Sequence, residues 1–131
     1  MRALVIAAVL VFAQAKTTQD GVYTAAQAKR GDTVYGVSCA SCHAPDLSGS
    51  GQASSLTGKD FNSAWNGMPL SDLFDRIRTT MPADAPGTLE AAEVADVIAF
   101  ILSKADLPAG QTELAADPAD LKAMTFMTQK P

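Results

Sequence analysis

Every cysteine and histidine of this 131-residue chain, two of the first and one of the second, falls in a single pentapeptide, Cys39-Ala40-Ser41-Cys42-His43. The pattern C-x-x-C-H is the attachment signature of a covalently bound haem. Its spacing has a chemical reason. Each thiol adds across one vinyl group of the porphyrin, so the two sulfurs must reach neighbouring edges of one flat ring. Two intervening residues let one tight turn of backbone do this. The next side chain then stands under the iron, where an imidazole serves as proximal ligand. Cys39 and Cys42 are therefore the candidate covalent attachment points, and His43 is the candidate metal ligand. A chain with such a site must fold around a large apolar disc.

Two other chemistries use the same residue types. A thiol–disulfide redox pair normally follows a strand in a β-α-β pattern, and no strand pattern precedes Cys39. A zinc site needs four donors. Two cysteines and one histidine fall short, and the adjacent Cys42 and His43 would crowd one another on a single ion.

The amino terminus suits haem attachment outside the cytoplasm. Arg2 is followed by an apolar run from Ala3 to Ala13, and Ala13-Gln14-Ala15 offers the small-x-small pattern of a signal-peptidase site. The run is short for a bilayer span, and the polar Lys16-Thr17-Thr18-Gln19-Asp20 follows it. The alternative is an uncleaved amphipathic or membrane-anchoring helix. The expected organisation is a signal peptide over residues 1–15, a polar segment over 16–22, one small domain over 23–104, and an extension over 105–131 packed on that domain. No second segment is long and apolar enough to span a membrane. Removing Arg2 leaves 9 of the 10 basic groups against 14 acidic ones, a balance of −5. That sign argues against nucleic acid as a partner.

Helical signals dominate the rest. Thr24 can cap a helix reaching about Val37, with Gln27 completing a capping-box pattern, and Ala28, Gly31, Tyr35 and Ser38 mark its small face. Residues 44–59 are rich in Gly, Ser and Pro and read as loop. Ser71 is the expected cap of a second helix through Thr79, with Leu73, Phe74 and Ile77 inward, ended by Met81-Pro82. Pro86-Gly87 marks a turn. Thr88 then caps a helix from Leu89 to Lys104, striped by Val94, Val97, Ile98, Ile101 and Leu102. A short helical turn after Asp117-Pro118 carries Leu121 and Met124, with Phe126 a further candidate. No strand pattern, internal repeat or nucleotide-binding glycine motif is present.

With a single histidine, the second iron ligand must come from another residue type, and a methionine thioether is the usual choice. Four methionines lie beyond the leader: Met68, Met81, Met124 and Met127. Met81 and Met68 are both followed by proline. Met81 lies between a helix end and a proline-rich turn, a non-helical frame able to hold a side chain rigidly, and this position favours it over Met68.

At this point the chain resembles the single-haem class I cytochromes c, including free carriers and the haem domains of quinoprotein dehydrogenases. The resemblance rests on Gly31-x-x-x-Tyr35-x-x-x-Cys39, on Thr79-Thr80-Met81-Pro82 with the Pro86-Gly87 turn, and on Glu93-x-x-Asp96-Val97-x-Ala99-Phe100. It covers residues 23–102. It implies an all-α fold of three to five helices around one covalent haem c, with Gly31 and Tyr35 packed against the last helix near Phe100 and Met81 as axial ligand. The family commonly carries Pro-x-Leu-x-Gly where this chain has Ser54-Ser55-Leu56-Thr57-Gly58. The Ser54 carbonyl can still accept the other ring N–H of His43, because proline contributes rigidity there rather than the acceptor. Trp65, Thr79 and Thr80 are candidate donors to the haem propionates, and for Trp65 plain packing against the haem explains it equally well.

The expected function is single-electron transfer in the periplasm or a comparable oxidising space, with redox proteins as transient donor and acceptor. Leu56, Phe61, Phe74, Ile77 and Val97 are expected to shield the haem. A peroxidase would need an open iron position and a distal acid–base group, and no second histidine supplies one. A haem-based ligand sensor, or a haem subunit of a larger oxidoreductase, are the alternatives. N-terminal sequencing of the exported protein should read Lys-Thr-Thr-Gln-Asp. A mature chain still starting at Met1 would favour the membrane-anchored alternative.

Overall fold

Two fourteen-residue helices that cross at a glycine frame the computed structural model, which describes residues 15–129. The leader expected over residues 1–15 lies outside the described residues except for Ala15. In chain order the elements are β1 (Lys16–Thr17), a 3-10 turn (Thr18–Asp20), α1 (Ala25–Ser38), α2 (Ala40–His43), α3 (Gly58–Trp65), α4 (Leu70–Thr80), α5 (Ala91–Lys104), α6 (Pro118–Lys122) and β2 (Met124–Thr125). The fold is all-α, with six α-helices among the described residues. Two of them, α2 and α6, are single turns of 4 and 5 residues, which takes the number past the expected three to five.

Helix α1 packs on α5 through its small face. A side chain at Gly31 would collide with the Asp96 carbonyl and approach the Phe100 Cβ to 2.9 Å, so only glycine lets the two backbones come this close. One turn on, the Tyr35 ring lies 5.2 Å from the Phe100 ring, tilted by 49°. Away from that contact, α5 supplies Val94, Val97, Ile98, Ile101 and Leu102, all buried at 1% exposure or less. That stripe runs through a core that also takes in Leu47, Leu70, Leu121 and Phe126, and this burial is the main stabilising term.

Local structure departs from the sequence expectation at several helix starts, and each departure has a cause. Thr24 does cap α1, its Oγ1 accepting from the Gln27 amide at 3.1 Å. The capping box is not completed, because the Gln27 side chain turns to the carboxy-terminal segment. Its amide donates to the Leu114 carbonyl at 2.9 Å and its oxygen accepts from the Leu114 amide at 2.7 Å. Helix α4 begins at Leu70 rather than after Ser71: Leu70 is fully buried, and Pro69, bridged to Thr125, supplies the extended residue before it. Helix α5 begins at Ala91, where Glu90 and Glu93 cap each other reciprocally. Thr88 instead closes the preceding turn by donating to the Ala85 carbonyl at 2.8 Å.

Two elements escaped the pattern reading altogether. Helix α3 buries only Phe61 and half-buries Trp65 four residues later, too sparse an apolar stripe to stand out in a Gly- and Ser-rich stretch. The parallel pair β1–β2 joins Lys16 to Met124 and Thr17 to Thr125, and two residues are too few to show alternation.

The segment after α5 folds back over the domain. Leu107, Leu114, Leu121 and Phe126 are buried. Tyr23 donates its hydroxyl to the Leu107 carbonyl at 2.6 Å, and its own carbonyl accepts from the Gly110 amide at 2.6 Å. Arg30 links α1 to both Asp96 (3.2 Å) and Glu113 (2.7 Å). The guanidinium holds the Glu113 carboxyl below its usual range, but the pair is exposed and counts for little beside the four apolar anchors.

The crossing yields a stability prediction. In an open helix Gly31→Ala would gain about 1 kcal/mol of helix propensity. Here the added methyl meets backbone that cannot move aside, and overpacking of this kind costs about 1–3 kcal/mol or more. A lower urea midpoint than the parent is expected in Gly31→Ala. An unchanged or higher midpoint would show that the helices can separate at no cost.

Candidate haem site

The pentapeptide occupies the corner where α1 ends. The Cys39 amide donates to the Tyr35 carbonyl at 2.9 Å as the last bond of α1. Its carbonyl then receives the amides of Cys42 (3.2 Å) and His43 (3.0 Å). Both cysteines and the histidine thus sit on one tight turn, α2. Ala44 follows with φ 68°, a positive value that L-residues adopt at a cost. Two groups hold the reversal: the Tyr35 hydroxyl donates to the Ala44 carbonyl at 2.6 Å, and the Gly49 amide to that of His43 at 2.9 Å. Ser50 Oγ donates to the Cys42 carbonyl at 2.7 Å, so the carbonyls at the end of this turn have partners.

The loop from 44 to 57, linker-like in composition, is tied down from within. Leu47 is fully buried, also at positive φ. Its carbonyl accepts from the Leu56 amide at 2.9 Å and from Ser55 Oγ at 3.1 Å. This order brings the Ser54 carbonyl to 2.7 Å from His43 Nδ1. A carbonyl oxygen only accepts, so Nδ1 carries the proton and the Nε2 lone pair is left available to a metal.

Of the thiols, Cys39 is half-buried and Cys42 exposed, and neither is in a disulfide. Burial pushes the Cys39 thiol up to about 11, so it is protonated at neutral pH. Burial, with the neighbouring Cys39 and Asp46 charges, pushes the Tyr35 hydroxyl up to about 12, which keeps it a donor to Ala44. Among the described residues no three His, Cys, Asp or Glu side chains converge to hold a metal, so the four donors of a zinc site are not assembled here.

Beside the Ser54 carbonyl lies a cavity of about 310 Å³ lined by Ser54, Ser55, Asp60, Phe61, Ala64 and Trp65. Met81 stands at the end of α4, half-buried, its amide on the Ile77 carbonyl at 3.0 Å and its carbonyl facing the Gly87 amide at 3.4 Å. Arg78 donates to the Gly87 carbonyl at 3.1 Å and so braces the same turn. Met68 is 39% exposed in a turn between Trp65 and Phe126, its amide on the Trp65 carbonyl and its carbonyl under the Phe126 amide, each at 2.9 Å. Thr79 and Thr80 are exposed, and their hydroxyls donate to the Asp75 and Arg76 carbonyls within α4 rather than outward. Sequence reasoning passed over Leu47, Ser50 and the Tyr35–Ala44 bond. Only the apolar Leu47 amid polar neighbours signalled its role.

The donor set suits a haem: two unpaired thiols on one turn, and an imidazole whose second nitrogen is oriented by a backbone carbonyl. Alongside stand the partly buried apolar groups of Ala40, Leu56, Trp65 and Ile77. A family model described as cytochrome c oxidase, cbb3-type, subunit III, matches residues 26–101, more than half of the chain. The chain belongs to this family. Residues 26–101 are accordingly a c-type cytochrome domain, a class that carries haem c for electron transfer. No curated protein and no solved structure matches the chain. The matched part of the cytochrome runs from α1 almost to the end of α5, leaving residues 102–131 outside it. No helix among the described residues is long and apolar enough to cross a membrane.

Proposed function

We propose that this cytochrome is a single-electron carrier of the periplasm or an equivalent oxidising space, and not an enzyme. In this reading Cys39 and Cys42 would hold one haem covalently, and His43 and Met81 would be the ligands to its iron. The observation that carries it is the 2.7 Å contact between His43 Nδ1 and the Ser54 carbonyl, which orients the chain's single imidazole as a ligand needs. When bound, the haem iron supplies a one-electron ferric–ferrous couple.

The chain's residues supply the rest. The Cys39 and Cys42 thiols, on one turn, would attach the porphyrin through two thioethers. The Ser54 carbonyl fixes the imidazole plane and keeps its proton on Nδ1. Met81, at a helix end braced by Ile77, Gly87 and Arg78, offers a soft thioether that favours the ferrous state and raises the potential. The buried Phe61, Phe74 and Val97, with the partly buried Leu56 and Ile77, would exclude water from the haem. Electron exchange with a redox protein would need only a small, transient contact. The apolar run and small-residue site before Lys16 support export. A catalytic haem protein would call for a second acid–base group at the iron, and the chain has no second histidine.

A second reading, that the cytochrome serves as a haem subunit of a larger oxidoreductase, draws support from the family's description as an oxidase subunit. Recovery from native membranes in a stoichiometric assembly would favour it, and recovery as a free monomer would favour the carrier.

The ligand assignment has a direct test. Met81→Ala should abolish the weak ferric sulfur-to-iron charge-transfer band, lower the reduction potential and admit carbon monoxide or imidazole. Met68→Ala should leave all three near the parent, costing at most some packing stability. The reverse pattern would make Met68 the ligand. No spectral change in either variant would put the ligand-sensor reading ahead.

A further inference from the structure

Three separated pieces of chain meet on the far side of α3. The Gly67 amide donates to the Phe126 carbonyl, and the Phe126 amide to the Met68 carbonyl, both at 2.9 Å. Next to this pair, Pro69 bridges Thr125. The Asn66 side-chain oxygen accepts from the Thr128 amide at 3.0 Å. From the amino-terminal side, the fully buried Thr18 exchanges two hydrogen bonds with Met127: its hydroxyl donates to the Met127 carbonyl at 2.8 Å and accepts from the Met127 amide at 2.9 Å. The residues just after α3 are thus held by residues 125–128, which are in turn held by residue 18.

What this junction grips is the helix that carries Phe61 and Trp65. The Phe126 ring, 1% exposed, meets the Phe61 ring edge-on at 5.9 Å, and the Phe61 and Trp65 centroids are 6.3 Å apart. Phe61 and Trp65 line the cavity that also contains Ser54, the residue whose carbonyl orients His43. Helix α3 has little else to place it: it is 8 residues long, buries one side chain, and starts without a side-chain cap. An isolated helix of that length does not hold its own position. All the gripping residues lie outside the matched family segment except 66–69.

We propose that the carboxy-terminal segment, with Phe126 as its key, is a positioning strap that sets Phe61 and Trp65 against the haem and so tunes its solvent exposure and reduction potential. The proposal rests on the haem site assigned above. Phe126 is a positioning residue, acting through Phe61 and Trp65. Loosening it should let water reach that side of the haem, which stabilises the more highly charged ferric state and lowers the potential.

Trp65 is the chain's single tryptophan, so its indole N–H gives one assignable proton resonance. In the parent haem protein this resonance should shift between the oxidised and reduced states, because the paramagnetic contribution falls steeply with distance from the iron. In Phe126→Ala the redox-dependent shift should shrink, the indole N–H should exchange faster with solvent, and the potential should fall. If Phe126→Ala does not yield folded protein, Phe126→Leu, which keeps most of the volume but removes the ring edge, should show the same three changes to a smaller degree. A variant with a lowered melting temperature but parental indole shift and potential would overturn the strap, since a merely stabilising role moves the first alone. A parent with no redox-dependent indole shift would overturn the placement of Trp65 beside the haem, and the strap with it.

Discussion

The approach of α1 to α5 at Gly31 sets the position of nearly everything else. Because the glycine lies against the Asp96 backbone, Tyr35 is brought onto Phe100 one turn later. From there its hydroxyl reaches the Ala44 carbonyl, which holds the reversal just after His43. The haem turn is therefore not free-standing. It is the continuation of a helix whose last turns are pinned by a close backbone contact. A wider crossing would move Tyr35, release Ala44 from its positive φ, and unseat the loop that presents Ser54 to His43.

That dependence explains how a chain of this size can prepare a site for so large a cofactor. The most continuous part of the core is the α5 stripe. Around the candidate attachment turn the wall is thin: an 8-residue helix, a glycine- and serine-rich loop, and the turn that carries Met81. Each part of that wall is fixed by a few specific bonds rather than by extensive burial. Leu47 plugs the loop, Arg78 braces the Met81 turn, and the carboxy-terminal segment grips α3.

Much of the frame was legible in the sequence. The period of Val94, Val97, Ile98, Ile101 and Leu102 marked α5, and the small residues at 28 and 31 marked the face that meets it. C-x-x-C-H marked the candidate attachment residues, and Cys39, Cys42 and His43 do share one tight turn. What stayed hidden was structure made by long-range pairing. Gln27 carries the local signature of a capping box, yet it serves Leu114, 87 residues away, and no local pattern could show that. Helix α3 has only Phe61 and Trp65 to declare it, and it depends on Phe126 from the far end of the chain. The 44–57 loop has the composition of a linker, and its order comes from backbone bonds that composition does not encode.

The central claim is that one haem is covalently held by the turn that begins at Cys39. The most direct measurement is the mass of the intact, acid- and acetone-extracted protein from a host that matures c-type cytochromes, followed by mapping of the modified peptide. The account predicts the mass of the chain plus one haem, with the addition located on the peptide that contains both Cys39 and Cys42. A protein whose haem is fully extracted, or whose two cysteines are recovered as an unmodified thiol or disulfide pair, would contradict it.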